Sequence, residues 1–503
     1  MEKNIKICKK AAEKIMSLKL YILIITGIIL RVYCLSCKSF WCDEFLAISL
    51  SKIPEFSDMI RWIIKNDAHP PLFYSVIRII FHFTNSEFGL RFMPFLFGAF
   101  AIIIFYKLLK EVDIKNYLLP LSLFIFSPAQ VLWSQIVKSY STLTFFSLLS
   151  IFTFIRYKKT NKNVYATWWI LSSIITLYLH NYGMLIIAAQ VIILLLYRKE
   201  ISFRKFIIPY VIIFLFYLPY LSGPLVSQIA FVKTAPHSIL NPFLRIVYTF
   251  FYFLFGETLS PLNFKFVIPG ILLFFIFFII GLRKEKNILQ KFSSIVIILG
   301  IILIFSVKAT IPQNLIHLQP FFFIIVASGV ECLKKAKVKI LFSFFLLLCL
   351  MPSLYYYYTN NSLQYHDVSK LIPYKKITET ITREETIGEV IIMNEGRETR
   401  FTEFFEPYSP WDWYYKGHLP IKDIHNADEL EKIYKIYNGF WVILKYNRQE
   451  QNWDEDIKNF FVQRKSVKIK EMKLIKNYSF LDVLKGQEKK EYYFIEVYHF
   501  IKK

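Results

Sequence analysis

Apolar residues fall along this chain in runs long enough to cross a bilayer as helix, roughly 20 residues each, with short polar connections between them. The pattern predicts about eleven spans, near 18–36, 88–107, 115–133, 140–157, 164–180, 183–198, 206–222, 266–283, 292–307, 316–333 and 338–355. Between the first two, in a loop covering 37–87, residues 44–52 and 56–65 carry apolar positions at helical spacing, and 71–83 is apolar but too short to cross. These three pieces are expected as helices lying in the membrane interface. A half-length apolar piece at 243–255 is expected to be re-entrant or interfacial. From about 360 the polarity rises, and strand-like runs at Glu389–Met393, Phe440–Tyr446, Val467–Leu474 and Tyr492–Phe500 alternate with helical patterns at 367–381, 427–438 and 453–463. The expected fold is mainly α: a polytopic membrane domain over 1–359 and an extracytoplasmic α/β domain over 360–503.

Composition supports a membrane class, since a chain that is 55% hydrophobic and 18% aromatic has too little polar surface to cover a soluble core. A net charge of +24 does not mark a nucleic-acid partner, because the cations fall in clusters between apolar runs and form no stripe. The clusters are Lys3, Lys6, Lys9, Lys10, Lys14 and Lys19; Lys107, Lys110 and Lys115; Arg156, Lys158, Lys159 and Lys162; Arg198, Lys199, Arg204 and Lys205; Arg283, Lys284 and Lys286; and Lys334, Lys335 and Lys337. They occupy every second connection, which places them in the cytoplasm with the amino end. The loops holding Asp43, Asp67, Lys138, His180 and Lys308, and the carboxyl tail, then lie outside. The first span is long and lacks a small-residue cleavage pattern, so it reads as a retained anchor. Cys34, Cys37 and Cys42 gather near the outer face, as a disulfide, a metal site or small apolar residues at a helix end; Cys8, Cys332 and Cys349 are cytoplasmic or buried in lipid.

Ionisable groups beside lipid are costly and tend to be functional, and two clusters stand close together: Trp41-Cys42-Asp43-Glu44 and Asn66-Asp67-Ala68-His69-Pro70-Pro71-Leu72. A carboxylate such as Asp43 suits general-base work on a hydroxyl or amine; equally, it suits capping a helix that begins at Glu44. Pro70 and Pro71 fit the first turn of the third short helix, with Asp67 near the positive end of its dipole. Arg91, Lys138, Arg245, Lys308 and His317 map to outer ends of spans, either to contact a phosphate or to snorkel to headgroups. The ring-rich segment from Phe404 to Tyr415 could stack on sugars, sit at the membrane boundary or pack internally. The C-terminal region shows no glycine-rich phosphate loop, zinc spacing or serine elbow.

In combination, these pieces resemble the C-type glycosyltransferases, integral membrane enzymes that use polyprenyl-phosphate-linked sugars. The resemblance is to the branch holding bacterial mannosyltransferase-like proteins, protein O-mannosyltransferases and lipid A aminoarabinose transferases. It rests on Arg31, Trp41-Cys42-Asp43-Glu44, His69-Pro70-Pro71-Leu72-Phe73-Tyr74 and Ser86-Glu87-Phe88-Gly89-Leu90-Arg91-Phe92. Further pieces are Ser127-Pro128 with Ser134-Gln135 and Tyr140, and Leu179-His180-Asn181-Tyr182-Gly183, so it covers roughly residues 15–330. The resemblance implies Asp43 as general base, Glu44 orienting Asp43 or touching the sugar, and His69 and Arg91 holding the lipid phosphate. Further substrate contacts are expected from Asp67, Lys138, Tyr140, His180, Tyr182, Lys308 and His317.

Two departures are visible. The family's Ser-Gln-Glu-x-Arg-x-Tyr reads here Ser134-Gln135-Ile136-Val137-Lys138-Ser139-Tyr140, and its late Arg-Tyr-Leu is replaced by Asn314-Leu315-Ile316-His317, where Lys308 or His317 could substitute. Asp43, Glu44, Asp67 and His69 could gather around a divalent cation, yet without a second carboxylate cluster the favoured reading needs no metal or other cofactor. The expected function is inverting transfer of a sugar from a polyprenyl phosphate to an extracytoplasmic lipid, polysaccharide or protein at the cell membrane. The rivals are a lipid-linked sugar flippase or transporter, and a catalytically silent glycan-binding protein.

Overall fold

The computed structural model describes residues 18–502 except 115, 199–203, 235–240, 284–286, 309, 362–367, 395–402, 405–408, 446–450 and 479–490. Lys3, Lys6, Lys9, Lys10, Lys14, Lys115, Lys199, Lys284, Lys286, Cys8 and part of the ring-rich segment lie outside the described residues.

Helix α1 (18–32) is followed by three short helices, α2 (Cys42–Lys52), α3 (Phe56–Asn66) and α4 (Leu72–Phe81), close to the three interfacial pieces expected. The chain continues through α5 (Glu87–Glu111), α6 (Leu118–Ile125), α7 (Pro128–Ser134), α8 (Tyr140–Thr160), α9 (Asn163–Leu179) and α10 (Met184–Leu196). Then come α11 (Arg204–Leu221), α12 (Pro224–Thr234), the half-length α13 (Pro242–Phe255), α14 (Phe264–Leu282) and α15 (Ile288–Ser306). A 3-10 segment, Pro312–Leu318, leads into α16 (Gln319–Glu331), and α17 (Ala336–Thr359) completes the apolar part. Six stretches among the described residues are long and apolar enough to cross a membrane: α5, α11, α14, α15, Pro312–Glu331 and α17. The protein is therefore a multi-pass membrane protein. The other expected spans coincide with α1, α6 with α7, α8, α9 and α10, which fall short of that length or apolarity, so the count of eleven remains an expectation.

Prolines explain where helices depart from the apolar runs. The run 115–133 is two helices, because Pro128 disfavours helical backbone at Ser127 and suits the first turn of a new helix. Ser127 Oγ accepts the Gln130 N–H at 3.3 Å to start α7. Arg31, fully buried, donates to the carbonyls of Phe124 and Ile125 that the break exposes, at 3.3 and 3.2 Å. Pro320 likewise has no N–H to offer the Ile316 carbonyl one turn back, and the Gln130 side-chain amide fills that place at 3.2 Å.

Contacts divide the chain into two compact units, one taking the chain up to Leu35 with Glu55–Tyr358, the other Ser36–Pro54 with the chain from Thr359. The break at 358/359 sits where the polarity changes; the second division falls inside the 37–87 loop and separates α2 from α3 and α4. Within the first unit α14 and α16 pack backbone to backbone. A Cβ on Gly281 would stand 1.9 Å from the Ile325 carbonyl, and one on Gly329 1.9 Å from that of Phe277.

The second unit holds α18 (Tyr374–Glu384), β1 (Glu389–Met393), α19 (Pro410–Tyr414), β2 (Ile421–Asp423), α20 (Ala427–Ile436), β3 (Gly439–Lys445), α21 (Gln451–Gln463), β4 (Val467–Tyr478) and β5 (Glu491–Ile501). Its sheet runs β2-β1-β3-β5-β4, parallel from β2 to β3 and antiparallel from β3 to β4. β1 and β3 are apolar on both faces and buried on both. One face packs on α18 and α19 through Ile377, Ile381 and Trp411, the other on α20 and α21 through Leu430, Ile457 and Phe461. The expected strands and helices are present; the short β2 and α19 are additional.

Candidate active site

In the first unit, polar side chains from four separated stretches meet at one place. Asp67 ends α3, its N–H donating to the Ile63 carbonyl at 3.0 Å, and its carboxylate is 6% exposed. Oδ1 accepts from the His69 backbone N–H at 2.8 Å and lies 2.7 Å from His69 Nδ1; Oδ2 accepts from the Tyr74 hydroxyl at 2.9 Å. Burial alone would push this carboxyl up, but the charges of His69 and Lys138 and the bonds from His69 outweigh it and hold it down at about 2. Pro70 and Pro71 stand ahead of α4 and not in its first turn, and Asp67 is tied to that helix by Tyr74.

His69 meets His180 edge to face, ring centroids 5.1 Å apart. His180 follows α9, with Nδ1 accepting the Tyr182 N–H at 3.1 Å. Its Nε2 is buried without a hydrogen-bond partner, with the Asn314 side chain alongside. Tyr140 begins α8, packs near His180 and donates its hydroxyl to Asn314 Oδ1 at 3.0 Å. His317, in the 3-10 segment, is fully buried, and neither ring nitrogen has a hydrogen-bond partner, although the backbones of Tyr182 and Asn314 lie beside it. The Tyr182 hydroxyl pairs with Thr310 at 2.9 Å. An unsatisfied buried polar atom costs about 1–3 kcal/mol, so several together at one place mark somewhere a polar ligand or water belongs.

The expected cations divide. Lys138 is buried and near enough to Asp67 to stabilise its charge. Arg91 is 3% exposed and donates to the Leu35 carbonyl at 3.0 Å, tying α5 to the stretch after α1. Arg245 donates to the carbonyls of Val307 and Lys308 at 2.8 and 3.1 Å, with Nε buried and unpartnered, while the Lys308 side chain is exposed.

Sequence patterning missed the frame that holds the 67–69 turn. Gln228 of α12, fully buried, donates to the His69 carbonyl at 2.7 Å, and Asn181 donates to the Ala68 carbonyl at 3.0 Å. Asn181 also donates to Gln228 Oε1 at 3.3 Å, and the Tyr220 hydroxyl bonds both amides. Single amides in polar connections carry no periodicity. The prior signal is that Asn181 stands in the Leu179–Gly183 stretch that resembles the family's turn.

In the second unit, α2 begins at Cys42, two residues earlier than expected. Asp43 is therefore in the first turn and does not cap the helix; Glu44, 1% exposed, does so by accepting the Trp41 N–H on Oε2 at 3.0 Å. Asp43 is partly exposed. Cys34 and Cys37 are disulfide-bonded, whereas Cys42 keeps an exposed thiol. Among the described residues, no three His, Cys, Asp or Glu side chains gather as a metal-holding set.

A family model described as dolichyl-phosphate-mannose-protein mannosyltransferase matches residues 68–198, which hold His69, Arg91, Lys138, Tyr140, His180 and Tyr182. No curated protein matches the sequence significantly. Among solved structures, apo ArnT from Cupriavidus metallidurans superposes over 97% of this chain and 98% of its own, with a TM-score of 0.55 at 10% identity. The same protein bound to undecaprenyl phosphate superposes over 95% and 97%, with a TM-score of 0.53 at 10% identity. At that identity the likeness is one of fold, and it runs through both units of the chain. The chain is thus a multi-pass membrane protein with the fold of ArnT, and its residues 68–198 match the dolichyl-phosphate-mannose-protein mannosyltransferase model.

Proposed function

We propose that the protein moves one sugar from a polyprenyl monophosphate to an extracytoplasmic acceptor, with inversion at the anomeric carbon and Asp43 as general base. The acceptor hydroxyl or amine gives its proton to Asp43 as its oxygen or nitrogen attacks the anomeric carbon. The carbon–oxygen bond to phosphate breaks, and the electron pair leaves on the lipid phosphate. A single displacement of this kind inverts the centre, and no protein nucleophile is needed.

The observation that carries this reading is the buried polar cluster of Asp67, His69, Tyr140, His180, Tyr182 and His317, where ring nitrogens of His180 and His317 lack partners. Such groups suit oxygens of a leaving phosphate, whose growing charge needs fixed donors. ArnT bound to undecaprenyl phosphate shows that this fold accommodates a polyprenyl phosphate. We assign His69, His180 and His317 to the phosphate and sugar, Lys138 to the local charge balance, and Arg91 to tying α5 in place.

The test is Asp43→Asn in the full-length protein reconstituted with a polyprenyl-phosphate sugar and cell-envelope acceptors, product being read by mass spectrometry. Transfer should fall by about 10²–10⁴-fold, the usual worth of a general base, while binding of the lipid phosphate stays at the wild-type level. Undiminished transfer by Asp43→Asn would remove the assignment and leave the transporter or binding-protein readings. The mechanism also runs without a metal: transfer should survive exhaustive EDTA treatment, and loss restored by Mg²⁺ or Mn²⁺ would contradict it.

A further inference from the structure

We propose that the C-terminal unit holds the acid-bearing helix α2 in register through α19, with Trp413 and Tyr414 as positioning residues for sugar transfer. The inference rests on the reading of Asp43 as the base.

An eleven-residue helix is too short to be stable by itself in water, so α2 depends on what it packs against. Within its unit, the segment leading into α2 is gripped from three places more than 300 residues away in sequence. The Phe40 N–H donates to the Tyr414 hydroxyl at 2.8 Å. The Trp413 ring receives Phe40 and Phe45 edge-on, with centroids 6.0 and 6.4 Å away at 74° and 82°. Ser39 Oγ accepts the Lys375 N–H at 3.1 Å, supplying a partner that the first turn of α18 lacks within its own helix. The Lys370 ammonium stands 4.0 Å from the centre of the Trp41 ring.

The grip is rigid because α19 is itself fixed to the α/β core. Its neighbouring Trp411 is 2% exposed and meets Tyr374 of α18 at 4.6 Å, while Tyr414 stacks parallel to Tyr374 at 6.4 Å and 6°. Asp412 accepts from the N–H and hydroxyl of Ser409, closing the start of α19, and its charge also reaches Lys52 at the far end of α2. Asp43 lies between two held residues, Trp41 and Phe45, in the first turn of α2. Aromatic contacts of this geometry stabilise beyond area burial, enough to change how often that turn opens.

The experiment compares full-length wild type, Trp413→Leu, Trp413→Phe and Tyr414→Phe in lipid nanodiscs. Amide hydrogen exchange is read over residues 40–52, and kcat and donor KM are read for transfer. Trp413→Leu should raise exchange across Phe45–Lys52 about tenfold and lower kcat at least tenfold, with donor KM within about twofold of wild type. Trp413→Phe should recover most of both losses. Tyr414→Phe, which removes one acceptor and leaves the ring, should loosen Phe40–Glu44 alone, and it carries the test if Trp413→Leu does not fold. Wild-type exchange in folded variants overturns the proposal, and so does raised exchange with unchanged kcat while Asp43→Asn is inactive. Raised exchange with an active Asp43→Asn would instead place the error in the assignment of Asp43.

Discussion

Three carboxylates of the first long connection show how local bonding, more than residue type, sets what an acid does. Glu44 is used by the backbone of Trp41, while Asp43 stands one residue earlier in the same turn. Asp67 has three donors on two oxygens and is ionised far below neutrality. Its folded value of about 2 lies below the ordinary 3.8, so its stabilising contribution is fully present above about pH 4 and is lost as pH falls towards 2. Asp67→Asn should therefore cost about 1.5–3 kcal/mol at pH 7, the worth of hydrogen bonds to a charged group. The gap in thermal midpoint between variant and wild type should narrow steadily below pH 4. A gap that stays constant from pH 7 to pH 3 would mean that the charge of Asp67 contributes nothing and only its shape matters.

Helices were legible in the sequence wherever an apolar run met a polar boundary, and their fine breaks were not. Ser127-Pro128 was visible as a dipeptide, yet the flanking residues are as apolar as any span, so hydropathy ran straight across a boundary that proline sets. The same blindness covers the 3-10 turn before Pro320 and the short elements β2 and α19, whose three and five residues hold no period. Of the site, Asp67, His69, Tyr140, His180, Tyr182 and His317 could be named because ionisable and polar groups beside lipid stand out. Gln228 could not, since its role comes from contacts distant in sequence, and Asn314 stood out only as a departure from the family's motif. Close helix packing leaves a similarly faint mark. Gly281 and Gly329 are inconspicuous glycines in apolar helices, but each faces a carbonyl of the opposing helix at a distance no Cβ tolerates. Gly281→Ala and Gly329→Ala should each destabilise by about 1–3 kcal/mol through overpacking. The pair should cost less than the sum of the two, because the first substitution already spreads the helices. Heat inactivation in detergent measures this; wild-type midpoints for both single variants would show that α14 and α16 do not sit in backbone contact.

At the scale of the whole molecule, everything proposed about the acceptor depends on which side of the membrane α2 faces, and the basic connections give one answer. The alternation of Lys and Arg clusters along the sequence predicts that those connections and the amino end are cytoplasmic and that α2, the 67–69 turn and the C-terminal unit are outside. With Cys8→Ser as the common background, the remaining thiols make this measurable. Cys42 in α2 and Cys332 after α16 both have exposed thiols, and the two lie on opposite sides in the proposed orientation; Cys34 and Cys37 are oxidised and silent. Cys349 lies within α17, a helix apolar enough to sit in lipid, and is only partly exposed. A membrane-impermeant maleimide added to intact cells should label the background protein and Cys332→Ser but not Cys42→Ser, and Cys42→Ser should label only after permeabilisation. The reverse pattern would put Asp43 in the cytosol, where the acceptor would have to be cytoplasmic and the donor's sugar would have to face inward. Labelling of both thiols in intact cells would mean that the connection after α16 crosses to the outside. That would contradict the alternation from which the orientation was derived, whatever the chemistry at Asp43.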